Sequence, residues 1–99
     1  MGKYVFVYYA KDDSNAGDDQ AWGNWFGQLG DKIIDAGNPL AHGGQAVHAG
    51  GVMEVTDMPV TGYSIISADS MEQATELAKG CPLVTLGSGA VCVYEALPM

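Results

Sequence analysis

The stretch from Thr56 to Pro82 (T-D-M-P-V-T-G-Y-S-I-I-S-A-D-S-M-E-Q-A-T-E-L-A-K-G-C-P) constrains the fold of this chain more than any other. A polar turn around Pro59 leads into a β-rich run, Gly62–Ser67. Ser70 then supplies a helix N-cap, and Gln73 three residues later completes a capping box. Ala74, Leu77, Ala78 and Cys81 give the following helix an apolar face. Gly80 stops it, and Pro82 lies just beyond. Gly62–Pro82 therefore reads as the strand–helix half of a split βαβ unit.

The N-terminal segment Lys3–Tyr9 (K-Y-V-F-V-Y-Y) is rich in β-branched and aromatic residues and predicts a strand. Val5, Val7 and Tyr9 alternate with Tyr4, Phe6 and Tyr8, so both faces are apolar and both need cover. Helices on one side of a small sheet leave the other side bare. That argues for a homodimer through the sheet face.

Between these two segments, Lys11–Asp19 reads as a polar loop. Asp18 or Asp19 can cap the next helix. Trp22, Phe26, Leu29, Ile33 and Ala36 recur at helical spacing, which predicts one helix ending at Gly37 with Pro39 preventing its resumption. Gly23, Gly27 and Gly30 lie nearly on one line about a quarter-turn away, where a ring, a backbone or a ligand can approach closely. Leu40–Asp57 predicts a ribbon with a turn at Ala49-Gly50-Gly51 and a second strand, Val52–Thr56. Leu83–Gly89 reads as loop or short strand, and Ala90–Ala96 as the last strand. Strand, helix, hairpin, strand, helix, strand is the order of an α+β, ferredoxin-like sandwich with an extra hairpin. Ninety-nine residues make one domain, residues 1–99.

Composition excludes several function classes. The net charge is −8, from twelve acidic and four basic side chains. Lys3, Lys11, Lys32 and Lys79 are scattered and Arg is absent, so nucleic acid and anionic membrane surfaces are not expected partners. No apolar run approaches a membrane span. Met1-Gly2-Lys3 runs straight into a β-type segment without a signal peptide, and two cysteines make no disulfide framework. A cytoplasmic chain with reduced thiols is expected.

The order of motifs resembles the YCII-related family, also called the DGPF-domain family. Its D-G-P-F turn corresponds to Asp57-Met58-Pro59-Val60, its G-Y strand start to Gly62-Tyr63, its helix opening to Glu72-Gln73-Ala74, and its Pro after the helix to Pro82. A tyrosine-rich first strand, a Trp-containing helix and A-G-N-P-L match the first half more loosely. The chain departs from the pattern at Met58 and Val60. Some members carry a histidine on the first helix, and no histidine lies between Asp18 and Ala36 here. The resemblance implies a dimeric α/β barrel with two sheets facing each other. It supplies no substrate.

Candidate site residues follow from chemistry. Asp57, at the mouth of a turn, is a candidate base or ligand anchor, with an Asx-type turn as its competing role. His42 and His48 can each titrate near neutrality. Six residues apart on an extended ribbon, they stand roughly 20 Å from each other, too far to share a metal. No metal or cofactor is expected, and no phosphate loop or nucleophile elbow is present. Tyr8, Trp22, Gly23, Phe26, Gly27 and Tyr63 are the candidate lining of a cleft between the first helix and the sheet, suited to a flat apolar ligand. Their competing role is core and dimer interface. Glu95 alternates with Val91 and Val93 near the chain end, and Cys81 is expected to pack in the core. Three functions compete: a homodimer binding a small apolar or aromatic ligand; a cofactor-independent lyase, isomerase or oxygenase using Asp57 with a His or Tyr; and an interaction module using the acidic surface.

Overall fold

The computed structural model describes residues 2–10, 19–41, 43–55 and 60–98. Six strands and three α-helices follow one another along the described chain: β1 (Gly2–Ala10), α1 (Asp19–Leu29), β2 (Ile33–Asp35), β3 (Gln45–His48), β4 (Gly51–Glu54), β5 (Val60–Ala68), α2 (Met71–Ala78), α3 (Pro82–Thr85) and β6 (Gly89–Ala96). The main sheet has the order β2-β5-β1-β6, and β3 and β4 form a separate two-stranded hairpin. Every pairing in the main sheet is antiparallel. β1 and β2 thus run parallel with β5 between them, and β5 and β6 run parallel with β1 between them. These are two interlocked split βαβ units, the ferredoxin-like α+β fold.

The alternation in β1 sorts the two faces as predicted. Tyr4, Phe6, Tyr8 and Ala10 are buried under the helices with Ile66, Ala68, Trp25, Leu29, Ala74, Ala78, Cys81 and Leu83. Lys3, Val5, Val7 and Tyr9 point the other way. Their cross-strand neighbours there are Ser67, Ile65, Tyr63 and Val60 on β5, and Ala96, Tyr94, Cys92 and Ala90 on β6. No described element of the chain covers this second face. The molecule measures 40 × 36 × 19 Å, and its short dimension suits one sheet plus one helical layer.

The helix α2 forms as its sequence requires. Ser70 is the N-cap, and its hydroxyl accepts from the Gln73 amide at 3.1 Å. The Gln73 side chain reaches back to the Asp69 amide, its Oε1 accepting at 2.6 Å. Pro82 does more than follow α2: it occupies the first turn of the one-turn helix α3, where a missing N–H costs nothing. A helix here replaces the expected loop or short strand.

The larger departure lies after Leu29. Periodicity predicts a helix to Ala36, but α1 ends at Leu29, and Gly30 takes φ +57°. A 3-10 turn over Gly30–Lys32 follows, and Ile33–Asp35 becomes edge strand β2 beside β5. The helix-terminating glycine is therefore Gly30 rather than Gly37. Gly37 has a different task. With φ +79° it turns the chain so tightly against β5 that a Cβ would stand 1.7 Å from the Tyr63 carbonyl oxygen.

Candidate functional site

The rings placed by α1 fill the space between that helix and the sheet. Trp25 stacks on Phe6 at a centroid distance of 6.0 Å and on Phe26 at 5.4 Å. Trp22 meets Tyr8 edge-on at 5.0 Å and Trp25 at 5.7 Å. The Trp25 indole donates to the Leu77 carbonyl at 3.0 Å, tying α1 to α2. Offset and edge-to-face pairs at these spacings are normal core packing. Tyr8, Trp22 and Phe26 thus pack on one another and on Trp25.

Tyr8 is locked further. Its phenol donates to the Ser64 Oγ at 2.7 Å, and the Ser64 hydroxyl donates to the Ala36 carbonyl at 2.7 Å. Burial holds the Tyr8 phenol far above the usual tyrosine range, with the Ser64 hydrogen bond opposing in part. It stays protonated and acts as a structural donor.

The remaining predicted residues lie elsewhere. Gly23 and Gly27 are exposed, and a Cβ at either would meet nothing within 4 Å among the described residues. The glycine line faces away from the sheet. Tyr63 pairs with Val7 and belongs to the opposite face from Tyr8. Its hydroxyl accepts from the Asn38 side-chain amide at 3.2 Å. His48 sits at the tip of the β3–β4 hairpin, where its Nδ1 accepts from the Gly50 amide at 3.1 Å. That bond stabilises the turn and leaves the proton of the neutral ring on Nε2. His42 and Asp57, with the rest of the D-M-P-V turn up to Pro59, lie outside the described residues. Glu95 is exposed near the end of β6. Cys81 is fully buried, and burial pushes its thiol up to about 11 against the opposing amides of Leu83 and Val84. Among the described residues, no three His, Cys, Asp or Glu side chains converge as metal ligands would.

An open cleft exists at a place the sequence did not mark. Leu40, Ala41, Gly44, Gln45, Val55 and Val60 line a space of about 370 Å³ at the root of the hairpin. Three backbone contacts build it. Pro39 bridges Gly62, the Leu40 amide donates to the Thr61 carbonyl at 2.9 Å, and the Val55 amide donates to the Gly44 carbonyl at 2.9 Å. The first two lay the chain after β2 along β5, and the third closes the hairpin root. A bulge between Tyr8 and Tyr9 turns Val60 toward the Tyr9 side of the sheet. Among the described residues the lining is apolar apart from the Gln45 amide. No sequence signal announces this cleft: Leu40, Val55 and Val60 fall in different segments, and only the fold joins them.

A second, smaller depression of about 180 Å³ is lined by Asp31, Lys32, Ser67, Asp69 and Gln73. Part of its polar capacity is already used. The Ser67 hydroxyl donates to the Lys32 carbonyl, and Gln73 holds the Asp69 amide.

Among the described residues no helix is long and apolar enough to cross a membrane. No curated protein matches the chain in sequence. Among solved structures, 5-chloro-2-hydroxyhydroquinone dehydrochlorinase (TftG) from Burkholderia phenoliruptrix AC1100, in complex with 2,5-dihydroxybenzoquinone, is similar with a TM-score of 0.65. The alignment covers 96% of this chain and 93% of that one at 14% sequence identity, a likeness of fold. The model of the YCII-related domain matches residues 3–99, and the chain belongs to that family.

Proposed function

We propose that this protein is a homodimer that binds a small, neutral, ring-shaped molecule in the cleft at the hairpin root. The observation that carries this reading is the cleft itself. Its volume of about 370 Å³ and its apolar lining with one amide, Gln45, are those of a ligand pocket. This site replaces the predicted helix–sheet cleft, which rings occupy. A net charge of −8, and no cation among the described lining residues, favour neutral over anionic ligands.

The bare sheet face supports the dimer. Among its described residues only Lys3 and Asp35 carry charge, so the acidity of the chain lies elsewhere. Two copies can meet there without opposing like charges, burying Val5, Val7, Tyr9, Ile65 and Tyr94. Sedimentation at micromolar concentration tests it, and a monomer rejects the dimer. The related TftG was captured with a dihydroxylated six-membered ring, which suggests hydroquinone as a neutral probe and benzoate as its anionic counterpart. Calorimetric titration should show hydroquinone binding more tightly than benzoate and losing at least tenfold in affinity on Ala41→Trp. Binding of neither probe, or binding unaffected by Ala41→Trp, rejects the cleft as the site.

One observation favours a second reading. Ala41 and Val55, which line the cleft, directly precede His42 and the Thr56–Pro59 stretch that contains Asp57. A cofactor-independent lyase using Asp57 with a histidine then becomes a concrete candidate. Release of chloride from 5-chloro-2-hydroxyhydroquinone, lost in Asp57→Asn, is its signature. No release from the unaltered protein removes this reading and leaves the binding reading intact.

A further inference from the structure

The β3–β4 hairpin stands apart from the core. All eight residues of its two strands are exposed, including Val47 at 78%, Val52 at 60% and Met53 at 60%. Val47 and Val52 are directly opposite each other and form an apolar pair, with the Gln45–Glu54 pair beside it on the same face. A free two-stranded hairpin is marginal in water, and each of its strands presents an outer edge without a strand partner. Large aliphatic side chains on such an element lose stability by facing solvent unless another surface covers them.

We propose that this hairpin is a docking arm whose Val47–Val52 face packs on a second copy of the chain, an inference that rests on the homodimer reading above. Three observations select a second copy as the occupant. The first is surface area. The chain exposes 6389 Å², whereas a compact monomer of 10.3 kDa exposes about 5,400 Å². The excess is roughly 1,000 Å², on the scale of the ~800 Å² each partner contributes to a stable interface. The second is charge. Glu54, beside Gln45 on the Val47–Val52 face, is the only Asp, Glu, Lys or Arg on either strand, so an equally acidic copy meets a single carboxylate there rather than a charged patch. The third is continuity. Gly44, Gln45 and Val55 at the hairpin root share the cleft with Val60, whose strand position lies beside Tyr9 on the bare sheet face. The arm thus leaves the body beside the surface assigned to the dimer and extends it.

The test is sedimentation of the full chain and of the V47D/V52D double variant over a concentration series. Hydrogen exchange of residues 45–48 and 51–54 is followed across the same series. Both valines face solvent in the single chain, so the variant keeps its circular dichroism. The expected result is a dissociation constant raised at least tenfold, with hairpin amides of the unaltered chain protected only at concentrations where it dimerises. A dimer of unchanged strength in V47D/V52D overturns the docking arm and leaves the homodimer standing. Hairpin protection independent of concentration does the same. A chain that stays monomeric at micromolar concentration overturns both.

Discussion

The hydroxyl chain from Tyr8 through Ser64 to the Ala36 carbonyl lends itself to a double-mutant cycle. Ser64→Ala removes the acceptor of a buried phenol and the donor to the Ala36 carbonyl in one step. A buried group left without a partner costs about 1–3 kcal/mol, and the Tyr8 phenol is such a group while the Ala36 carbonyl belongs to an exposed residue that water can serve, so the variant should lose roughly 1–3 kcal/mol. Tyr8→Phe removes only the phenol oxygen. Ser64 keeps its donation to Ala36, and the loss should be about 1 kcal/mol, the net worth of one hydrogen bond. In the double variant no phenol remains to be orphaned, so the total should fall short of the sum by about 1–2 kcal/mol. Urea denaturation at fixed protein concentration measures all four corners, and the fixed concentration keeps any association constant across them. For a domain of this length, 1 kcal/mol moves Tm by about 4–8 °C, so Ser64→Ala should lower Tm by roughly 4–24 °C. Additivity within about 0.5 kcal/mol, or a Ser64→Ala cost below that figure, refutes the reasoning.

Other perturbations give equally definite results. Gly30→Ala should cost only about 1–2 kcal/mol of left-handed strain, because none of the described residues lies within 4 Å of the added carbon. Gly37→Ala must also displace the Tyr63 backbone in β5, so it should be far worse in the same urea titration; equal costs exclude the close approach. Ser70→Ala should destabilise by about 1 kcal/mol through loss of the α2 cap, an effect measurable by thermal melting and absent if the cap is idle. At pH 8, an alkylating reagent should spare Cys81 until the protein unfolds, whereas Cys92, on the sheet face assigned to the dimer, should be labelled only where the chain is monomeric. The raised Cys81 thiol means the folded state holds a proton that the unfolded chain releases from about pH 9. Stability should therefore fall as pH rises from about 9 to 11, and a Cys81→Ala variant should show a shallower decline.

Much of the fold is legible in short-range pattern. Period-two alternation in β1 separated Tyr4, Phe6 and Tyr8 from Val5, Val7 and Tyr9 because pleated geometry enforces it. The Ser70–Gln73 box and the Ala74, Ala78, Cys81 stripe placed α2 because capping and helical spacing are local. The α1–β2 boundary was not legible. Ile33 fits both a helical stripe and a strand, and the deciding factor is the vacant edge of β5, which gains a hydrogen-bonded partner when Gly30 turns the chain. Nor could spacing separate Tyr8 from Tyr63, since cross-strand register decides which face each one joins.

The sequence by itself determined an acidic, Arg-free chain with a two-faced first strand and a capped second helix. It also carried the motif order of the YCII-related family. Only the tertiary structure decided that the aromatic set packs on itself, that the glycine line faces outward, and that the open cleft lies at the hairpin root. The reason is the range of the interactions. Capping, alternation and turn chemistry act over a few residues and are written locally. The cleft brings Leu40 and Val55 beside Val60 through pairings of strands distant in sequence, which exist only once the chain has closed on itself.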